Sequence, residues 1–166
     1  MRRLVIVGAS LAGHRAAQAA RGAGFDGDLI VVGDERHLPY TRPPLSKELL
    51  AGEQEVDHVH FPCDSFEADW RLGVSAASLD RGRRRVVLSD GDQLAYDRLI
   101  LATGSRARPW PGAGAELQGI HVLRNLDDAV ALRLAFESRR ASRSSAPASS
   151  VARSPRPRAS RGSTSR

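Results

Sequence analysis

Apolar residues fall in short unbroken runs near the start of the chain and in looser patterns further along. Residues 4–7 form an uninterrupted apolar run and predict a strand buried on both faces. Residues 11–23 follow as an Ala-rich helical pattern that closes at Gly22 or Gly24. Residues 29–32 predict a second buried strand. The prolines between Leu38 and Lys47 make an extended loop, and Ser46 is a candidate N-cap for a short helix through Leu50. Residues 53–65 are weakly patterned and read as a mobile loop. Residues 70–80 and 84–88 predict strands, Ser89-Asp-Gly91-Asp a turn, and residues 93–96 the returning hairpin strand. Residues 97–103 predict another buried strand ending in a small-residue turn, and residues 108–112 a loop. Residues 126–137 predict an amphipathic helix with Leu126, Ala129, Val130 and Leu134 at helical spacing.

After Glu137 the pattern stops. Ser, Arg, Pro and Ala dominate with no periodicity, so the segment has too little apolar surface to offset its chain entropy. The expected division is a folded part over 1–138 and a disordered tail over 139–166. The tail also explains the net charge of +6. Eight of the 25 basic residues lie at or beyond Arg139 and no acid does, leaving 17 basic against 19 acidic residues elsewhere. The tail lacks interleaved aromatics for stacking on bases and an amphipathic face for a membrane, so neither nucleic acid nor membrane is an expected partner. With no apolar run long enough to span a bilayer, a soluble, cytoplasmic protein is expected. The single Cys63 excludes an internal disulfide and a Cys-pair redox centre. His58 and His60 alternate without a completing ligand cluster and read as a solvated face.

The chemistry sits in the first turn. Gly8-Ala-Ser10-Leu-Ala12-Gly13 follows an apolar strand and opens a helix, and Asp34 and Glu35 end the next strand about 20 residues later. This is the layout of a dinucleotide-binding βαβ unit. Gly8 allows the tight turn and Gly13 close helix–strand packing. The free N–H groups at the helix start can hold a pyrophosphate, and an acid after the second strand can accept hydrogen bonds from a ribose. Ser10 replaces the middle glycine of the usual triplet. An ordinary βα turn and a non-catalytic nucleotide-binding module remain open on this segment alone.

Further blocks narrow the choice: Pro39-Tyr-Thr-Arg42-Pro-Pro-Leu-Ser-Lys47, Val87-Leu-Ser-Asp-Gly91, Tyr96-Asp-Arg-Leu-Ile-Leu-Ala-Thr103-Gly104-Ser105 and His121-Val-Leu-Arg124-Asn-Leu-Asp-Asp128. In this order and spacing, over residues 2–139, the chain resembles the FAD-dependent ferredoxin reductases that serve oxygenase systems. The resemblance implies an α/β fold: an incomplete Rossmann-like FAD-binding domain with a parallel sheet and an inserted antiparallel β-meander. It implies FAD as cofactor and a ferredoxin-type iron–sulfur protein as electron acceptor in the intact family member. It assigns Gly8, Ser10, Ala12 and Gly13 to the FAD pyrophosphate turn, and Asp34, or Glu35 in its place, to the adenosine ribose. The backbone at Ala76 falls to the adenine, and Thr103 and Gly104 to the phosphate–ribose side. Arg124 falls to the flavin region, and Lys47, with Arg42 close by, lies near the flavin ring. Lys47 is the only lysine of the chain; a compact cation there suits charge developing on a reduced flavin.

The family continues into a second Gly-rich domain for NAD(P)H, and no such domain reads here. The codon table accounts for this. GTC GTC GGC GCC GGC TTC ATC GGT encodes Val-Val-Gly-Ala-Gly-Phe-Ile-Gly. Read one base later, it becomes Ser-Ser-Ala-Pro-Ala-Ser-Ser followed by the first bases of a Val codon, which is Ser144 to Val151 as they stand. A frameshifted, truncated reductase is therefore expected, with the phase slipping near Arg139 or Arg140. Its consequences would be one exposed sheet face, weak FAD retention and no NAD(P)H-driven turnover. The gene decides the first point. Read one base earlier over the tail it is expected to encode Gly-x-Gly-x-x-Gly, and a frame without that motif overturns the expectation.

Overall fold

The computed structural model describes residues 2–144, with side chains through Arg139. Seven strands form two sheets. The larger is parallel, in the order β3 (Asp69–Leu72), β2 (Asp28–Gly33), β1 (Arg3–Val7) and β7 (Arg98–Leu101). The smaller is an antiparallel meander of β4 (Ala76–Asp80), β5 (Arg85–Leu88) and β6 (Gln93–Ala95), inserted between β3 and β7. This is the α/β architecture expected from the sequence.

The unbroken apolar runs of β1 and β2 are explained by cover on both faces. Helix α1 (Leu11–Gly22) packs one face, where Ala17 meets Leu4, Ile6, Leu29 and Val31. The meander packs the other, where Val86 and Leu88 meet Val5, Val7, Ile30 and Val32. Gly13 brings α1 that close. A Cβ there would stand 1.8 Å from the carbonyl oxygen of Gly8. Asp97 sets the register of β7: its N–H donates to the Arg3 carbonyl oxygen at 2.9 Å, and its carboxylate accepts the Arg3 N–H at 2.7 Å.

A second cluster lies beside the sheet. Tyr40, Leu45, Leu49 and Val59 pack against Leu126 and Ala129 of α3 (Leu126–Ser144). Residues 53–65, expected as a mobile loop, are pinned here through buried Val59, the Tyr40–His60 bridge and the contact of His14 with Phe61 and Phe66. His58 is exposed and His60 half-buried.

The structure departs from the sequence reading at four places. Residues 70–80 are two strands in different sheets, because Gly73 (φ +74) turns the chain after Leu72 and Val74 donates to Gly33 at 3.0 Å. Ser46 ends a 3-10 turn (Pro43–Ser46); Lys47 is the N-cap residue of the short α2 (Glu48–Ala51), without a side-chain capping bond. Helix α3 runs on to Ser144, past the 138/139 boundary, and residues 145–166 lie outside the described residues. Finally, no face of β1 or β2 is bare. Exposed large apolar side chains include Leu101 at the end of β7, 64% exposed, and Val130 and Leu134 on α3.

Gly13→Ala is expected to lose about 1–3 kcal/mol by urea unfolding, because the obstructing atom is backbone and cannot swing aside. Gly22→Ala, whose Cβ meets nothing within 4 Å, is the contrast. It is expected to be neutral or stabilising by a few tenths of a kcal/mol.

Candidate functional site

Parallel strands β2, β1 and β7 deliver their carboxyl ends to one edge of the sheet, where open α/β sheets hold ligands. A cleft of about 600 Å³ lies there. One wall is the turn from β1 into α1. Gly8 takes φ +119, and a Cβ on it would stand 2.1 Å from the carbonyl oxygen of Ala102, so the turn nests directly on the end of β7. Ser10 is the N-cap residue of α1, yet its side chain makes no capping bond, and the first turn holds no acid. His14 is the first N–H to bond back into the helix, to Ser10 at 2.9 Å. The positive end of α1, with its first-turn donors and Ala12, thus opens on the cleft.

The facing wall carries the acids. Asp34 is exposed on the cleft; Glu35 is half-buried and engaged. The Tyr40 hydroxyl donates to Glu35 Oε2, and Arg42 donates from one terminal nitrogen to Glu35 Oε1 at 2.5 Å. The other terminal nitrogen of Arg42 donates to the carbonyl oxygen of Arg124 at 2.6 Å. The Tyr40 hydroxyl also accepts the N–H of Leu126 at 2.9 Å. Burial, and then donation to Glu35, raises the Tyr40 phenol well above the ordinary tyrosine value.

A third wall comes from the segment after β7 and the approach to α3. Thr103 and Gly104, the latter at φ +69, line the cleft, and Arg124 donates from Nε to the carbonyl oxygen of Ser105 at 3.0 Å. Asn125 and Asp128 cap α3 reciprocally: Asp128 N–H reaches Asn125 Oδ1 at 2.8 Å, and Asn125 N–H reaches Asp128 Oδ2 at 3.1 Å. The floor includes Ala76, at the start of β4 where the pairing with β5 shifts register.

Of the residues selected from the sequence, all but two line this cleft. Gly13 is buried behind it, where it holds α1 on β1. Lys47 is exposed at the start of α2 and does not line it. Tyr40 and Asp128 were missed. The Asn125-x-x-Asp128 spacing was a readable capping signal, whereas nothing local to Tyr40 announces contact with a residue 86 positions away. Among the described residues no group of His, Cys, Asp and Glu could hold a metal ion, and no helix is long and apolar enough to cross a membrane.

The family model for pyridine nucleotide-disulphide oxidoreductases matches residues 2–143. The chain belongs to that family. Its members are oxidoreductases that bind FAD and NAD(P) and transfer electrons. The chain is 44% identical over 139 residues to the biphenyl dioxygenase system ferredoxin–NAD(+) reductase component of Paraburkholderia xenovorans, covering 81% of this chain and 34% of the relative. It is 39% identical over 137 residues to putidaredoxin reductase of Pseudomonas putida, covering 78% of this chain and 32% of that one. The crystal structure of the covalent putidaredoxin reductase–putidaredoxin complex superposes with a TM-score of 0.75 at 37% identity, over 81% of this chain and 34% of the other. The chain thus spans about a third of the length of the relatives it matches.

For this family member the Tyr40 phenol yields a pH signature. It is expected to stay protonated through the range, about pH 10, where a free tyrosine titrates. Above that range the unfolded chain releases the Tyr40 proton while the folded chain keeps it, so stability falls as pH rises. Ultraviolet difference absorbance of wild type against Tyr40→Phe checks this; a normal phenolate step from Tyr40 in the folded protein overturns it.

Proposed function

We propose that the chain carries the adenosine-diphosphate end of an FAD site, as the FAD-binding portion of an NAD(P)H-dependent ferredoxin reductase. The observation that supports this best is the meeting, in one cleft, of an uncapped helix N-terminus with an acid-bearing strand end. The first matches a pyrophosphate and the second a ribose. The residues present therefore fit the adenosine-diphosphate end in charge and in donor chemistry.

On this reading the pyrophosphate lies over the turn of Gly8, Ser10 and Ala12, with Gly13 keeping α1 in place. Asp34 or Glu35 receives the ribose hydroxyls, and the Ala76 backbone meets the adenine. Thr103 and Gly104 border the phosphate–ribose side. Arg124 and Arg42 serve the flavin end; Lys47, exposed outside the cleft, is assigned there by the resemblance alone. FAD, when bound, supplies hydride acceptance and one-electron donation; these residues bind and orient it. FAD is favoured over NAD by the Arg42-to-Lys47 and Leu101-Ala-Thr-Gly104 blocks. A small iron–sulfur ferredoxin in the cytoplasm is the proposed acceptor for the intact reductase, in line with the similarity to the putidaredoxin reductase of the complex.

The 166-residue polypeptide is proposed to hold FAD weakly and to lack NADH-driven turnover. Thermal-shift titration with FAD, ADP and NAD tests the assignment. Stabilisation that is greatest with FAD supports it. Equal stabilisation by ADP or NAD points to a generic nucleotide module, and no shift with any ligand overturns both. A preparation that purifies yellow and bleaches on addition of NADH overturns the proposed weak retention and lack of turnover.

A further inference from the structure

We infer that the tip of the meander, together with the start of β7, is a docking surface for an acidic protein segment that presents carboxylates. It lies at the opposite edge of the parallel sheet from the cleft, and it does not depend on the FAD-site reading. Strand direction fixes the position. β4 leaves the cleft at Ala76 and runs out to Asp80, which carries the following turn away from the cleft. The chain then returns beside the amino ends of the parallel strands. The Tyr96 N–H donates to the Arg84 carbonyl oxygen at 3.0 Å, and the next residue, Asp97, donates to the Arg3 carbonyl oxygen at 2.9 Å. Arg98 opens β7 opposite Leu4 of β1. A partner seated on this edge leaves the cleft open.

The charge here is one-sided. The turn reads Asp80-Arg-Gly-Arg-Arg-Arg85, and its four arginines are all exposed. The acids of this edge are already engaged. Asp26 pairs with Arg2, Asp28 with Arg3 at 2.9 Å, and Asp80 with Arg83 at 3.3 Å, while the Asp97 carboxylate accepts the Arg3 N–H at 2.7 Å. Arg85 donates to Gln93 at 3.0 Å. Among the described residues, the side chains of Arg81, Arg84 and Arg98 have no hydrogen-bond or ion-pair partner. Three exposed guanidinium groups therefore stand unneutralised at one end of the fold.

Backbone conformation supplies an independent observation. Arg84 takes φ +52 and is the one non-glycine residue with positive φ among the described residues. Gly or Asn would adopt that conformation at less cost. The turn explains the conformation but not the arginine, and a strained residue at an exposed tip points to use of its side chain outside the fold. Leu79, exposed on the strand leading into the turn, adds an apolar contact beside the charges. Arginine is enriched at protein interfaces, and its planar fork matches a carboxylate through two parallel hydrogen bonds. A nucleic acid fits less well. The turn is a projecting tip, not a groove that tracks a phosphate backbone, and residues 76–95 include no aromatic for base stacking.

The test titrates the full 166-residue chain, labelled with nitrogen-15, with an end-blocked hexaglutamate peptide. Arginines beyond Ser144 attract the same probe, so amide shifts are followed residue by residue. Shifts at residues 79–85 and at Arg98 are expected, and they weaken as salt rises. Arg84→Asn is expected to weaken the dissociation constant read at the tip about threefold, and its combination with Arg81→Gln and Arg98→Gln about tenfold. Arg108→Gln, past the carboxyl end of β7, is expected to leave it unchanged. Shifts confined to residues beyond Ser144 overturn the inference, as does an equal loss in Arg108→Gln. Tighter binding at the tip by a thymidine hexanucleotide than by hexaglutamate assigns the surface to nucleic acid and overturns it too. Arg84→Asn also separates docking from folding and stays readable if the triple variant does not fold. Asn tolerates the backbone of this turn, so the variant is expected to melt at the same or a higher temperature. A lower melting temperature shows that Arg84 serves the fold and overturns its assignment to a partner.

Discussion

The site depends on backbone packed against backbone with no room for a side chain. Where Gly13 would carry a Cβ stands the carbonyl oxygen of Gly8, and where Gly8 would carry one stands the carbonyl oxygen of Ala102. Helix α1, the β1 turn and the end of β7 are thus stacked with no side chain between them. Gly33 adds a third such contact, its missing Cβ occupied by that of Ala9. A single methyl in this stack would lift the helix start away from the sheet edge. The positive end of α1 would then no longer face the acids that close β2, and the cleft would lose the pairing of charge that defines it. Packing at van der Waals range is here what makes an electrostatic arrangement possible.

The second constraint is that the polar groups of the cleft are held before any ligand arrives. Arg42 is committed to Glu35 and to the Arg124 carbonyl, and Arg124 to the Ser105 carbonyl. Neither guanidinium is free to collapse onto the other acid. Side chains as rotamer-rich as these lose freedom when they order, and a site in which that loss is met by folding binds its ligand with less opposing entropy. The helix terminus behaves in the same way. Ser10 leaves the first turn uncapped, so donors that a capping side chain would occupy stay available to an anion.

Which of this could be read from the sequence follows from how local each cause is. The β1–α1–β2 unit was legible because an apolar run, a glycine spacing and a terminal acid all lie within a few dozen residues of one another. The meander was legible through its turn residues. The split between β3 and β4 was not, since alternation runs on through Gly73 and only the sheet partners differ: Gly33 and Leu72 on one side, Ala76 and Leu88 on the other. Lys47 stands next to a real site block, but the chain turns through a 3-10 helix just before it and leaves it outside the cleft. Tyr40 illustrates the limit most directly. Its role is set by Glu35 five residues away and by Leu126 on another element, and pattern alone carries no trace of the second.

Burial also separates two parts of the surface. Strands β1 and β2 are covered on both faces by α1 and the meander, so the core beneath the β1–α1 turn is closed by residues the chain itself supplies. Leu101, Trp110, Leu117 and, on α3, Val130 and Leu134 are exposed. All of these lie at or beyond β7 in the chain. The relatives are far longer, with this chain matching about a third of each. In the proposed reading the helix terminus and the acid belong to the nucleotide end, and a flavin ring that passes electrons has in addition to be held and shielded from water.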